Sequence, residues 1–187
     1  MKSLALLLLL AGVALARADG DLLQNGDFSN GLAHWYGNIH ALPDAADGTP
    51  VPGVLIKFRS SEWTKVTQDF DVKAGVYKLH VSFTLSADAH FSDQLTDYIN
   101  MPLKLEFPNE YATDAQPGQW MVVVADPTAM KSLHWTVGFT QKSGTQSYTF
   151  TVKGIDFTNK QTLLLGFPPG SGTVTLQHVS LVPSDSH

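Results

Sequence analysis

The sequence predicts an all-β fold, two antiparallel sheets packed as a sandwich, with one elaborated loop region. Three observations predict it. Apolar and polar residues alternate with a period of two in several separate stretches, the pattern of strands buried on one face. Gly, Pro, Asn and Asp punctuate these stretches at short intervals, as turns require. Helical periodicity is scarce. Short strands joined by turns bury their apolar faces by closing into a sandwich or barrel.

Residues 1–18 read as a secretory signal peptide. Lys2 supplies a positive start, Leu4 to Ala16 an apolar run, and Ala16-Arg17-Ala18 an A-x-A end, so cleavage is expected before Asp19. Cleavage after Ala14-Leu15-Ala16 is the alternative and leaves Arg17 at the new terminus. The apolar run falls short of the roughly 20 residues that span a bilayer. No second apolar stretch follows, so the mature product is expected outside the cytoplasm, extracellular or periplasmic, without a membrane span.

The strands then come in order. Val54 to Phe58 and Val66 to Val72 are the first two. Tyr77, Leu79, Val81, Phe83 and Leu85 next alternate with Lys78, His80, Ser82 and Thr84. Residues 86–118 form the elaborated loop region. In it, Ser92 is placed to cap a short helix through Leu95, Tyr98 and Ile99, which Pro102 ends, and Leu103 to Phe107 is a strand. Trp120 to Ala125 is apolar on both faces, as expected of a strand covered on both sides. Leu133, Trp135, Val137 and Phe139 alternate with His134, Thr136, Gly138 and Thr140; Tyr148, Phe150 and Val152 are opposed by Ser147, Thr149 and Thr151. Thr162 to Phe167 and Thr173 to Leu181 close the set. In the last of these the apolar parity slips at Gln177-His178, which predicts a β-bulge or a change of environment. Turns are expected at Asp47-Gly48, Ala74-Gly75, Pro117-Gly118, Ser143-Gly144 and Pro168-Pro169-Gly170. No repeat or linker interrupts the chain, so residues 19–187 are one expected domain.

Composition narrows the function classes. The chain has 187 residues, 43% of them hydrophobic, 10% aromatic and 16% charged, and this argues against disorder. It contains no cysteine, which excludes disulfide scaffolds, thiolate zinc sites and cysteine nucleophiles. A net charge of -5 gives no electrostatic reason to expect nucleic acid as a partner.

Two stretches carry a family resemblance. Leu23-Gln24-Asn25-Gly26-Asp27-Phe28-Ser29-Asn30-Gly31-Leu32-Ala33-His34-Trp35 resembles the opening of carbohydrate-binding modules of the family 4, 9 and 22 type, an N-G-x-F-E stretch followed by Gly and Trp. Val66 to Leu79, with Ala74-Gly75 before an aromatic-led strand, is similar to their second hallmark; Ser147 to Val152, Leu163 to Phe167 and Gly172 to Leu181 follow their closing pattern. The likeness covers both ends of the mature chain and is weak between residues 86 and 140. It implies a galactose-binding-like jelly roll whose concave sheet face forms a glycan groove. These modules usually hold a structural calcium with a Glu after the N-G-x-F Phe and an Asp pair before the last V-S-L. Ser29 and Gln177-His178 stand at those positions here, so no metal site and no cofactor is expected.

Sugar recognition needs flat aromatic faces that stack on a pyranose and polar side chains that read hydroxyls. Trp35 lies within the opening motif and is expected to be structural; Trp135 shares parity with apolar neighbours and is expected in the core. Trp63 opens a strand on the polar side of Lys65, Thr67 and Asp69, while Tyr98, Tyr111 and Trp120 lie in or beside the elaborated loop. With His80 and His134 from two polar strand rows, these four aromatics form the expected carbohydrate-binding set. A solvated outer face explains each polar row equally well.

Catalysis has little support in the residues. Glycoside hydrolysis generally uses two carboxylates about 5–10 Å apart, and Glu62, Glu106 and Glu110 fall in no paired strand pattern. The histidines lack H-E-x-x-H spacing, and no G-x-S-x-G elbow occurs. The expectation is a secreted, non-catalytic protein that binds a polysaccharide or oligosaccharide. The alternatives are a structural or adhesive extracellular module with a protein partner, and a small polysaccharide-active enzyme on a jelly roll.

Overall fold

The computed structural model describes residues 20–91, 119–126, 131–139, 143–154, 157 and 159–184; of residues 91, 119 and 131–139 it describes the backbone alone. The strands are β1 (Tyr36–Gly37), β2 (Ile39–Ala41), β3 (Val54–Lys57), β4 (Thr64–Val72), β5 (Gly75–Leu85), β6 (His90–Phe91), β7 (Gln119–Asp126), β8 (Lys131–Phe139), β9 (Gly144–Gly154), β10 (Asn159–Phe167), β11 (Gly170–Ser171) and β12 (Thr173–Pro183). The first sheet has the order β1-β4-β10-β7-β8 and the second β2-β3-β12-β5-β9; β11 and β6 form a two-stranded ribbon. All these pairs are antiparallel. The expected all-β sandwich is what forms. The expected helix at Ser92 to Ile99 and the strand at Leu103 to Phe107 lie outside the described residues. The short β1, β2, β6 and β11 were not expected, because two or three residues are too few to show a periodicity. Among the described residues no helix is long and apolar enough to cross a membrane.

Period-two alternation supplies the core. Tyr77, Leu79, Val81, Phe83 and Leu85 of β5 are buried, while Lys78, His80, Ser82 and Thr84 point outward. Val66, Phe70, Trp120, Val122, Val124, Leu163 and Leu165 belong to the same apolar cluster. Trp120 sits at its aromatic centre, with ring centroids 5.3 Å from Phe83, 5.3 Å from Tyr148 and 5.8 Å from Phe167. In β12 the register against β5 shifts between Leu176 and His178, a bulge at the residues where the alternation slips. The extra residue lets Val174, Leu176, Val179 and Leu181 all reach the core. Strand β7 is buried on both faces: Met121, Val123 and Ala125 are as enclosed as Trp120, Val122 and Val124.

The opening segment is pinned to both sheets. Asp21 Oδ1 accepts from the Leu23 and Leu181 amides at 3.0 and 2.9 Å, tying the segment to β12. Asn25 adopts φ 51°, and its side chain donates to the Gly31 and Ala33 carbonyls while accepting from the Asn30 amide. Trp35, buried at 4% exposure, donates from Nε1 to the Asn25 carbonyl and packs on Phe28, so its structural role is as expected. Gly26 accepts from the Val179 amide at 2.8 Å, and a Cβ there would lie 1.9 Å from the Val179 carbonyl oxygen. That neighbour is backbone inside the bulged strand and has nowhere to go. Gly26→Ala is therefore expected to cost roughly 3 kcal/mol, the upper end for overpacking. Urea unfolding should show the loss as a lowered midpoint at unchanged slope.

Candidate functional site

Among the described residues, the polar half of the first sheet carries the most complete constellation for ligand contact. On β4, Val66, Gln68, Phe70 and Val72 face inward, so Lys65, Thr67, Asp69 and Asp71 face out. Tyr36 pairs in register with Thr67 and so shares that outer face. Trp35 points into the core; its neighbour Tyr36 is 65% exposed, an uncovered aromatic face. One pleat along, Asp69 lies diagonal to Tyr36, a spacing of about 7–8 Å between such positions.

Asp69 is held on both oxygens. Thr162 Oγ1 donates to Oδ1 at 2.7 Å, and Lys160 Nζ lies 3.0 Å from Oδ2. Both partners come from β10, where Thr162 stands opposite Asp69 and Lys160 opposite Asp71. Partial burial works against ionisation of Asp69, but the hydrogen bonds from Thr162 and Lys160 and the Lys160 charge outweigh it, leaving the carboxyl below its ordinary range. The hydrogen bond to Asp69 and its charge in turn push Lys160 up.

Beside this cluster opens a cleft of about 410 Å³ lined by Leu22, Gln24, Asp69, Phe70, Asp71 and Lys160. Its wall is fixed by a reciprocal amide clamp. The Gln24 amide donates to Gln68 Oε1 at 2.6 Å, and Gln68 Nε2 returns a bond to the Gln24 carbonyl at 2.9 Å. The surface thus combines an exposed ring, a fixed carboxylate–ammonium–hydroxyl group and an open cleft. It can stack on an apolar ligand face and donate to or accept from hydroxyls around it.

Because the folded-state pKa of Asp69 is depressed, the sign of its pH dependence follows. Its contribution to stability is complete above the unfolded value of 3.8 and is lost as pH falls through the lower folded value. The effect is small, since the pair is largely exposed. In a comparison of wild type with Asp69→Asn, the wild type should lose more stability on acidification below pH 4, read from melting temperatures at stepped pH.

Of the expected site residues, the described ones, Trp63, His80 and Trp120, are not brought together. His80 lies on the open face of the second sheet, with Nδ1 3.2 Å from Thr149 Oγ1. Trp63 shares the outward parity of Lys65 and Thr67, yet it is 7% exposed and buried, against expectation. Parity chooses a side of the strand, and that side is covered at this end. Trp120 is fully buried, a second correction: β7 is an inner strand, and the ring fills the sandwich among Phe83, Tyr148 and Phe167. Neither tryptophan presents a face to a ligand. His134 lies on β8 opposite Val124 in register, and its side chain is outside the description. Tyr98 and Tyr111 lie outside the described residues. Sequence reasoning passed over Tyr36 and Lys160. The usable signal for Tyr36 was its place after Trp35, since a buried Trp in an extended segment sends the next side chain outward.

A calcium of the kind that the resemblance implies does not fit the residues present. Asp27 Oδ1 accepts from the Ser29 amide and hydroxyl, and Asp21 Oδ1 is taken by two backbone amides. Among the described residues no group of three or more His, Cys, Asp or Glu gathers. Calcium wants six to eight oxygens, several of them anionic.

No protein-family model matches the chain, and no curated protein matches it in sequence. Solved structures match it in shape. A family 61 carbohydrate-binding module in complex with β-1,4-galactotriose superposes with a TM-score of 0.55 at 11% identity, covering 88% of this chain and 99% of that one. A family 16 carbohydrate-binding module gives 0.54 at 14% identity over 86% and 99%. The C-terminal family 22 carbohydrate-binding module of Clostridium thermocellum Xyn10B gives 0.50 at 8% identity over 91% and 98%. The same shape occurs inside a longer chain, an α-L-arabinofuranosidase of which the match covers 26%. The chain thus has the two-sheet β-sandwich fold of carbohydrate-binding modules.

Proposed function

We propose that this chain is a secreted, non-catalytic saccharide-binding module, comprising residues 19–187 after removal of a signal peptide at residues 1–18. The observation that carries the reading is the exposed Tyr36 ring beside the hydrogen-bonded Asp69–Lys160–Thr162 cluster at an open cleft. Tyr36 supplies the stacking platform for one pyranose face. Lys160, Asp71 and Gln24 supply donors and acceptors for the hydroxyls around its rim. Asp69, engaged on both oxygens, holds Lys160 in place. Tyr98, Tyr111 and His134 are further candidates for ligand contact, to be tested by single alanine substitutions in the same assay.

The enzyme reading starts from Asp69 and Asp71. As outward residues two apart on one strand they stand about 6.6–6.8 Å apart, within the range of a glycosidase pair. A general acid, however, needs a raised pKa, and Asp69 is shifted the other way with its oxygens already bonded. Affinity electrophoresis through β-glucan, xylan, mannan and β-1,4-galactan tests the proposal. Retardation by at least one polymer, without release of reducing ends, is expected. Uniform mobility in all four gels would put the protein-partner reading ahead, and reducing-end release would restore the enzyme reading.

A further inference from the structure

The open face of the second sheet carries a separate constellation. The outward residues of β5 stand directly opposite those of β9, and the four rungs from Lys78 to Thr84 are bonded. Thr84 Oγ1 lies 2.8 Å from Thr145 Oγ1, Ser147 Oγ donates to Ser82 Oγ at 3.2 Å, His80 Nδ1 lies 3.2 Å from Thr149 Oγ1, and Lys78 Nζ donates to Thr151 Oγ1 at 2.8 Å. On the other side of β5 runs β12, whose bulge puts His178 opposite Ser82 and Ser180 opposite His80. The result is a two-by-two array with histidines at diagonal corners and serines at the others. The two imidazole centroids are 5.8 Å apart and tilted by 48°.

We propose that His80 and His178 form a two-histidine site for a borderline divalent transition ion, Cu²⁺, Ni²⁺ or Zn²⁺, on this face. Ring centroids at that separation allow one nitrogen from each ring to reach a common ion with metal–nitrogen bonds of about 2.0–2.1 Å. The Thr149 hydroxyl at His80 Nδ1 fixes that ring, as outer-shell partners of ligating histidines do, and leaves Nε2 for the ion. The cation two residues along β5, Lys78, is drawn toward β9 by Thr151. Water completes the coordination on the open side. With two imidazoles the ranking follows general nitrogen-ligand chemistry, Cu²⁺ tightest. The site lies on a different sheet from Tyr36 and does not depend on saccharide binding.

Copper titration of the full secreted chain, read by calorimetry and by electron paramagnetic resonance, tests this. The wild type should show a tight class of one Cu²⁺ per chain with nitrogen hyperfine structure from imidazole. His80→Gln and His178→Gln should each weaken that class at least tenfold with an unchanged melting temperature. In the wild type alone, substoichiometric Cu²⁺ should broaden the amide resonances of Ser82, Thr149 and Ser180 before those of His34 and His40. That second readout holds even if a variant fails to fold. Unchanged copper affinity in both variants, or broadening that starts at His34 or His40, would overturn the assignment.

Discussion

If the proposed site is right, Tyr36→Ala is expected to sharply reduce retardation in the polysaccharide gels and to leave the melting temperature nearly unchanged. The ring is 65% exposed, so its removal opens no cavity, and substitutions of this kind usually stay within about 0.5 kcal/mol of wild type. A stacking platform at the centre of a binding surface behaves as a hot spot, worth about 2 kcal/mol or more on truncation. That corresponds to a loss of roughly thirtyfold in affinity. Tyr36→Phe keeps the face and should keep most of the binding. Calorimetric titration with the oligosaccharide of whichever polymer is bound gives the numbers. Full affinity in Tyr36→Ala would remove this residue as the platform and move the search to the other sheet, where His80 lies.

Trp120→Ala is expected to show the opposite signature: a large loss of stability with no specific effect on binding. Its ring is fully buried and in contact with Phe83, Tyr148, Phe150 and Phe167, so truncation leaves a void that the two sheets cannot collapse into. Large aromatic truncations in a core cost about 3–5 kcal/mol. Domains of this kind hold only about 5–15 kcal/mol in total, so the variant is expected to be marginal at 25 °C. Urea denaturation should show a much lower midpoint. Trp120→Phe, which keeps most of the volume, should recover more than half of the loss. Where Trp120→Ala remains folded, its saccharide affinity should match wild type. A stable variant that had lost binding would show that Trp120 contacts ligand after all.

The contrast between Tyr36 and Trp120 shows where sequence reading succeeds and where it stops. The alternation in β5 set Tyr77, Leu79, Val81, Phe83 and Leu85 on one face and His80 on the other, because a period of two leaves each side chain one side of the strand. The parity slip at Gln177-His178 located a bulge to within a residue. Trp35 was legible as structural, and its Nε1 bond to Asn25 gives the reason. Trp63 and Trp120 were not legible. Parity put Trp63 on the polar side, but what lies over that side depends on residues distant in sequence. Both faces of β7 are apolar, so no pattern within Trp120 to Ala125 distinguishes a ligand face from a core face.

Strand-by-strand patterning could not assign strands to sheets. Strands β4 and β5 are separated only by Lys73 and Ala74, yet they belong to different sheets. That crossing sets β10, not β5, beside β4 and so brings Lys160 and Thr162 onto Asp69. The same topology places β12 beside β5 and His178 beside His80. By itself the sequence determined an all-β chain, which side of each long strand is apolar, and the bulge in β12, because these depend on nearest-neighbour alternation along one strand. The tertiary structure alone decided that Tyr36 is open while Trp63 and Trp120 are covered, and that Asp69 meets Lys160. Exposure and side-chain pairing across strands depend on which distant segments are neighbours, and local periodicity carries no record of that.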